Sequence, residues 1–265
     1  MILFDKYLVL DLLSSKEESK VYLVNNVLDD KQYVIKALYK NILKDYMQKQ
    51  YYKEIDILKR INNDKIPKIH EVINVNDWLY IVLDYKKGIN LERYILENEV
   101  LENEALKLFS DLTNIINYLH TKFDNPIIHR DIKPSNIIIN NNEIYLTDFG
   151  SARYYDEGKT KDTVKLGTKG YAAPEQYNDN NQTDVRTDIY GIGITMYYLL
   201  TKKDPSEPPY EIYPIRHFNK NYSVELENII KKCIKLNPDE RYQNCNELLK
   251  NINKLLRGEK YGNRY

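Results

Sequence analysis

Apolar and polar positions along the chain change period twice. The first 40 or so residues carry short apolar runs: Tyr7–Leu13, then Lys20–Val27 rich in Val, Tyr and Leu, then Gln32–Leu38 after the turn signal Asp29-Asp30. Such runs with tight connections predict three strands of an antiparallel meander. From Lys44 to Ile61 the period becomes helical, with Tyr51, Ile55 and Leu58 at i, i+4 and i+7 on one face. Pro67 stops any continuation. Lys68–Val75 and Trp78–Tyr85 read as two further strands around Asn76-Asp77. Beyond Gly88 the pattern is mainly helical: Leu91–Glu97, then Glu102–Lys122 with Leu106, Phe109, Leu112, Ile116 and Leu119 on one face. Pro126 to Gly150 holds short apolar runs and turns. Asp184–Thr201 reads as a buried helix, and Ser223–Leu236 and Asn244–Leu256 as amphipathic ones. The expected class is α+β: a β-rich part over 1–83, a connection over 84–88, a helical part over 89–256 and a basic-polar tail over 257–265. There is no internal repeat and no low-complexity linker.

Composition narrows the function classes. The 265 residues include 39 Lys+Arg against 39 Asp+Glu, so no net field favours nucleic acid or an anionic membrane. No apolar run approaches the ~20 residues of a membrane span, and MILFDKYLVLDLL has early charges and no small-residue cleavage site, unlike a signal peptide. A cytoplasmic protein is expected. Cys233 and Cys245 form no disulfide framework, and four His without paired spacing argue against structural zinc. The scarcity of Gly and abundance of Tyr, Asn, Lys and Ile reflect a coding bias.

One segment concentrates chemistry: His129-Arg130-Asp131-Ile132-Lys133-Pro134-Ser135-Asn136, followed by Asp148-Phe149-Gly150. Short apolar runs precede both, which places these side chains at the ends of strands or turns. Asp148 and the amide of Asn136 offer oxygens to Mg²⁺, a cation that takes few protein ligands alongside phosphate oxygens. Asp131 is left to orient a hydroxyl nucleophile and accept its proton. Lys133 can neutralise charge on a transferring phosphoryl group.

These segments resemble the motif set of eukaryotic-type protein kinases. Val34-Ile35-Lys36 resembles the third-strand lysine motif and Glu54 its helix-C partner. His129–Asn136 resembles the catalytic loop and Asp148–Gly150 the metal-binding motif. Ala173-Pro174-Glu175 resembles the end of the activation segment, Asp188 the aspartate that braces the catalytic loop, and Arg241 the arginine that pairs with the activation-segment glutamate. The elements run in family order over about residues 7–255. The resemblance implies one bilobal kinase domain, with a small antiparallel β-sheet lobe carrying one main helix and a larger helical lobe. It implies ATP with Mg²⁺ or Mn²⁺ as cofactors and Ser/Thr-bearing proteins as substrates. Nucleic-acid and membrane partners are not implied, and oligomeric state carries no signal.

The resemblance also assigns roles. Asp131, Lys133, Asn136, Lys36 and Glu54 form the catalytic set, and Asn136 and Asp148 hold metal. Val21, Val34 and Ile138 would sandwich adenine, with Leu13 closing over it, Leu83 as gatekeeper, and the backbone of Asp84 and Lys86 at the base's edge. Lys133 and Thr168 look like the serine/threonine subfamily, Thr168 bonding both Asp131 and Lys133. GTKGYAAPEQY looks most like bacterial members. Arg130 and Arg153 suggest a receptor for a phosphate on the loop between them, with Thr160 and Thr163 as regulatory phosphosites.

The bland readings differ by residue. Lys36 alone would be an exposed strand lysine, and Glu54 an exposed helix charge; their joint register with Asp131 and Asp148 argues for phosphate pairing. His129 reads as a packed core histidine, and Lys86-Lys87 and Lys202-Lys203 as solvated charge. The departure from the family pattern is SSKEESKVYLV. Its expected glycine positions are Ser14, Lys16 and Ser19, and Glu17 and Glu18 at the tip would repel phosphate while Lys16 and Lys20 offset them. A nucleotide-binding scaffold without turnover is the alternative this loop raises. A small-molecule kinase is argued against by the intact Ala173-Pro174-Glu175 with its matching Arg241.

Overall fold

The computed structural model describes residues 1–42, 45–158, 167–177 and 182–258. The chain divides into two compact units, Met1–Lys87 and Gly88–Tyr265. The first contains β1 (Ile2–Leu3), β2 (Tyr7–Ser15), β3 (Ser19–Asn26), β4 (Lys31–Tyr39), α1 (Asp45–Arg60), β5 (Ile69–Val75) and β6 (Trp78–Asp84). Its six strands form one antiparallel sheet in the order β1-β2-β3-β4-β6-β5. The predicted meander is its centre. β1 was not foreseen: its three-residue connection, Phe4-Asp5-Lys6, holds Phe4 and Asp5 at positive φ, the geometry that suits the twist of a short hairpin.

Each face of this sheet has its own core. Tyr7, Val24, Tyr33, Ile35 and Val82 pack on one side. Leu38, Leu79 and Ile81 pack on the other with Ile55 of α1, joined by half-buried Met47 and Tyr51. Because side chains alternate along a strand, Lys36 shares the α1 side with Leu38. The apolar stripe of α1 carries Glu54 with it: this carboxylate is 2% exposed.

The second unit opens with β7 (Ile89–Asn90) and α2 (Leu91–Glu97), capped by the Asn90 side chain accepting from Arg93 N at 2.8 Å. There follow α3 (Glu102–Thr121), β8 (Ile127–Ile128), β9 (Ile137–Asn140), β10 (Glu143–Leu146), β11 (Arg153–Tyr154), α4 (Val185–Thr201), α5 (Ile215–Phe218), α6 (Val224–Cys233) and α7 (Cys245–Leu256). β10-β9-β7 and β11-β8 are small antiparallel ladders. All five apolar positions predicted for one face of α3 are buried. Asp184, Ser223 and Asn244, read as first helical residues, instead sit one step outside as N-caps whose side chains accept backbone N–H groups. The α6 helix stops at Cys233, short of the predicted Leu236, and α5 had no periodic signal because one turn shows none.

The α4 helix is buried nearly all round and positions the chemistry-bearing loop. A Cβ on Gly191 would lie 2.9 Å from the Ile132 Cβ, so only glycine lets α4 approach that loop so closely.

Candidate active site

In the N-terminal unit, Lys36 Nζ lies 3.0 Å from both Oε1 and Oε2 of Glu54, with Tyr51 beneath the ammonium at 5.2 Å. Burial makes the pair obligatory: a buried carboxylate without a cation would carry its full desolvation cost. Cross-strand register puts Ser14 opposite Val21, Val21 opposite Lys36, Val34 opposite Leu83, and Ser19 opposite Leu38. Directly opposed residues share a face. Ser14, Ser19, Val21, Val34, Lys36 and Leu83 therefore form one patch on the α1 side of the sheet. Leu13 is the extra residue of a bulge between Leu12 and Ser14, and it is exposed. The Asp84 amide donates to the Lys68 carbonyl at 3.0 Å. The Asp84 carboxylate bonds His70 Nε2 at 2.5 Å and Lys86 Nζ at 3.2 Å.

The SSKEESKVYLV stretch is a tight hairpin. Lys16 N donates to Ser19 O at 2.8 Å, and Tyr39 N ties the tip to the sheet through Glu18 O at 2.9 Å. No residue from Ser14 to Lys20 has positive φ. The turn therefore makes no conformational demand for glycine.

In the C-terminal unit a hydrogen-bonded cluster surrounds Asp131. Lys133 Nζ lies 2.8 Å from Asp131 Oδ2 and donates to Thr168 Oγ1 at 2.6 Å. Thr168 Oγ1 donates to Asp131 Oδ1 at 2.8 Å. Asn136 Nδ2 donates to the Asp131 carbonyl at 2.9 Å and to Oδ2 at 3.0 Å, which turns its amide oxygen away from Asp131. Thr147 binds the Asn136 carbonyl through N at 2.8 Å and Oγ1 at 3.0 Å, and Asp148 follows Thr147 directly in the chain. Asp148 is exposed, at φ +58°, and Arg130 is at φ +66°. Both are left-handed conformations that non-glycine residues adopt at a cost, and such strain concentrates at functional sites. Ile138 is half-buried in β9, opposite Tyr145 and Asn90.

The support beneath this cluster is buried and charged. Asp188 accepts His129 N at 2.9 Å and Arg130 N at 2.8 Å, so one carboxylate holds two consecutive amides of the loop. Burial works to raise its pKa, but hydrogen bonds from His120 and Arg130 N hold it below the ordinary carboxylate range. His129 is fully buried with its ring edge-on to Phe149 at 4.8 Å, and burial lowers its pKa. Arg241 meets Glu175 in a bidentate pair at 2.7 and 2.8 Å.

The protein kinase domain family matches residues 9–252. The chain belongs to the protein kinase family. It is 30% identical over 263 residues to a probable serine/threonine-protein kinase of Clostridium acetobutylicum, covering 94% of this chain and 37% of that protein. It is 30% identical over 231 residues to serine/threonine-protein kinase D of a Synechocystis strain, covering 82% and 44%. Against serine/threonine-protein kinase PrkC of Bacillus subtilis the figures are 28% over 258 residues, 92% and 39%. The chain spans about two fifths of the length of these curated relatives.

The kinase motifs thus fall into two built clusters, one in each unit. Thr160 and Thr163 lie outside the described residues. The two arginines read as their phosphate receptor are both buried: Arg130 Nε donates to Ser151 O at 2.7 Å, and Arg153 binds the Thr183 carbonyl and hydroxyl. Sequence reading missed Thr183, and also Gln176, whose Nε2 holds the Arg130 carbonyl at 2.8 Å. It missed His120 too. A lone His in an apolar helix carries no signal beyond core packing. Among the described residues no three His, Cys, Asp or Glu side chains are grouped to hold a metal. A site that takes Mg²⁺ through one amide, one carboxylate and substrate phosphates needs no such group. No helix of the described residues is long and apolar enough to cross a membrane.

Proposed function

We propose that this chain is a serine/threonine protein kinase that transfers the γ-phosphoryl group of ATP to protein hydroxyls. The observation that carries the reading is the Asp131 cluster. Its carboxylate is gripped by Lys133, Thr168 and Asn136 and so presents a fixed acceptor to a Ser or Thr hydroxyl. As the hydroxyl oxygen bonds to the γ-phosphorus, the bond from phosphorus to the β,γ-bridging oxygen breaks, ADP leaves, and the hydroxyl proton passes to Asp131. Lys133 offsets charge on the phosphoryl oxygens. Lys36, fixed by Glu54, holds the α- and β-phosphates, and Val21, Val34, Leu83 and Ile138 supply apolar contact for adenine. Asn136 Oδ1 and Asp148 fit Mg²⁺ as oxygen ligands; when bound, the metal neutralises phosphate charge. Thr160 and Thr163 remain the proposed autophosphorylation sites, and the cytoplasm the proposed location.

The test is radiolabelled ATP with a generic basic protein, comparing wild type with Asp131→Asn. Transfer by wild type and its loss in Asp131→Asn, with ATP binding retained, is the expected result. Transfer that survives the substitution refutes the mechanism. No transfer by wild type, with ATP bound, favours a scaffold. Phosphopeptide mapping of active protein checks the two threonines.

A further inference from the structure

Behind the catalytic loop three buried side chains from different helices form a line. Cys245 Sγ, at the start of α7, lies 3.6 Å from His120 Nδ1 near the end of α3. His120 Nε2 lies 2.8 Å from Asp188 Oδ2 in α4. Asp188 in turn holds the amides of His129 and Arg130. Cys245, His120 and Asp188 are 1%, 7% and 1% exposed. The groups and their order match a cysteine-nucleophile triad, but a thiol this buried meets no substrate.

The hydrogen-bond inventory places the Nε2 hydrogen of His120. Asp188 already accepts two backbone amides, and as a carboxylate it only accepts, so His120 Nε2 must carry the hydrogen. An Nδ1 without a proton is then a lone pair in the interior, which needs a donor. The Cys245 thiol lies within reach of it at 3.6 Å. Burial pushes that thiol well above its usual range, so it keeps its hydrogen.

We propose that Cys245 is a positioning residue for phosphoryl transfer: its S–H donates to His120 Nδ1, locks the Nε2–H tautomer, and so orients Asp188 and the catalytic-loop backbone. The closing helix of the domain is thereby joined to the loop that carries Asp131. The inference rests on the kinase reading only for its effect on rate; the tautomer itself does not depend on it.

The experiment reads the imidazole nitrogens of ¹⁵N-histidine-labelled protein by NMR, with His120 assigned by loss of its signals in His120→Gln. Phosphoryl transfer is measured on the same samples. In wild type His120 should show a protonated Nε2 and a hydrogen-bonded, unprotonated Nδ1. In Cys245→Ala the Nδ1 signal should move toward a free lone pair or gain a proton. The kcat should fall about 3- to 10-fold, the worth of one neutral hydrogen bond, with KM for ATP unchanged. Cys245→Ser, which keeps a donor, should restore both. Unchanged His120 signals in Cys245→Ala, or Nδ1 protonated in wild type, overturn the proposal. If Cys245→Ala does not fold, Cys245→Ser decides: a His120 Nδ1 that still accepts a hydrogen bond supports the relay, and its loss overturns it. Absence of transfer by wild type would refute the kinase reading while leaving the tautomer result intact.

Discussion

Thr168→Ala isolates the hydrogen bond that aims the proposed base. The Thr168 hydroxyl receives Lys133 at 2.6 Å and gives to Asp131 Oδ1 at 2.8 Å. Its removal leaves Lys133 and Asn136 on the other oxygen, Oδ2, so the carboxylate keeps its cation but loses the contact that sets its rotation. A hydrogen bond to a charged group is worth about 1.5–3 kcal/mol. If that full amount falls on the transition state, at ~1.36 kcal/mol per tenfold, kcat drops by roughly 10- to 150-fold. KM for ATP should hold within about twofold, because the Thr168 hydroxyl is engaged with Lys133 and Asp131; this is the pattern of an interaction made in the transition state alone. Thr168→Ser keeps the hydroxyl and should recover most of the rate. Initial rates against ATP, with a fixed basic protein acceptor, measure all three forms. Thr168→Ala within twofold of wild type, or Thr168→Ser as slow as Thr168→Ala, would refute the assignment of Thr168 as the residue that orients Asp131.

Other consequences can be read separately. The Glu175 and Arg241 side chains are 6% and 0% exposed, so Glu175→Ala strands a buried guanidinium at about 3–5 kcal/mol. At roughly 2–4 °C per kcal/mol for 150–250 residues, Tm should fall by about 6–20 °C, with the double variant Glu175→Ala, Arg241→Ala costing well under the sum of the singles; an additive cycle counts against a coupled pair. His129 binds its proton less readily folded than unfolded, since burial lowers its pKa from 6.5. The unfolded state therefore binds more protons as pH falls through that value, and stability declines by up to ~1.4 kcal/mol per pH unit for this one group. His129→Phe should flatten the decline in urea midpoint between pH 6.5 and 5, and an unchanged slope contradicts it. Glycine at Lys16 and Ser19 should lower KM for ATP by letting backbone amides approach phosphate, at about 0.5–1 kcal/mol of stability per glycine. No change would mean that the hairpin covers phosphate in another way.

The order of strands and helices was legible along the chain because amphipathic periods are local: the stripe of α3, the two runs around Asn76-Asp77 and the break at Gly88 each need only neighbours in sequence. Lys36, Asp131, Asn136 and Asp148 also stood out in the sequence, since the short segments that hold them resemble the family's motif set. The hairpin departs from the family pattern in its residues, yet the turn closes entirely at negative φ; what is unusual there is charge, with Glu17 exposed at the tip. Tertiary structure alone decided which polar groups would be buried together. His120, Thr183, Gln176 and Cys245 have no motif, and each found its role through partners 30 to 125 residues away. Sequence periodicity records where a chain needs apolar contact. It does not record which buried donor will meet which acceptor, because that pairing is settled only when distant helices pack and every polar atom shut off from water must be satisfied.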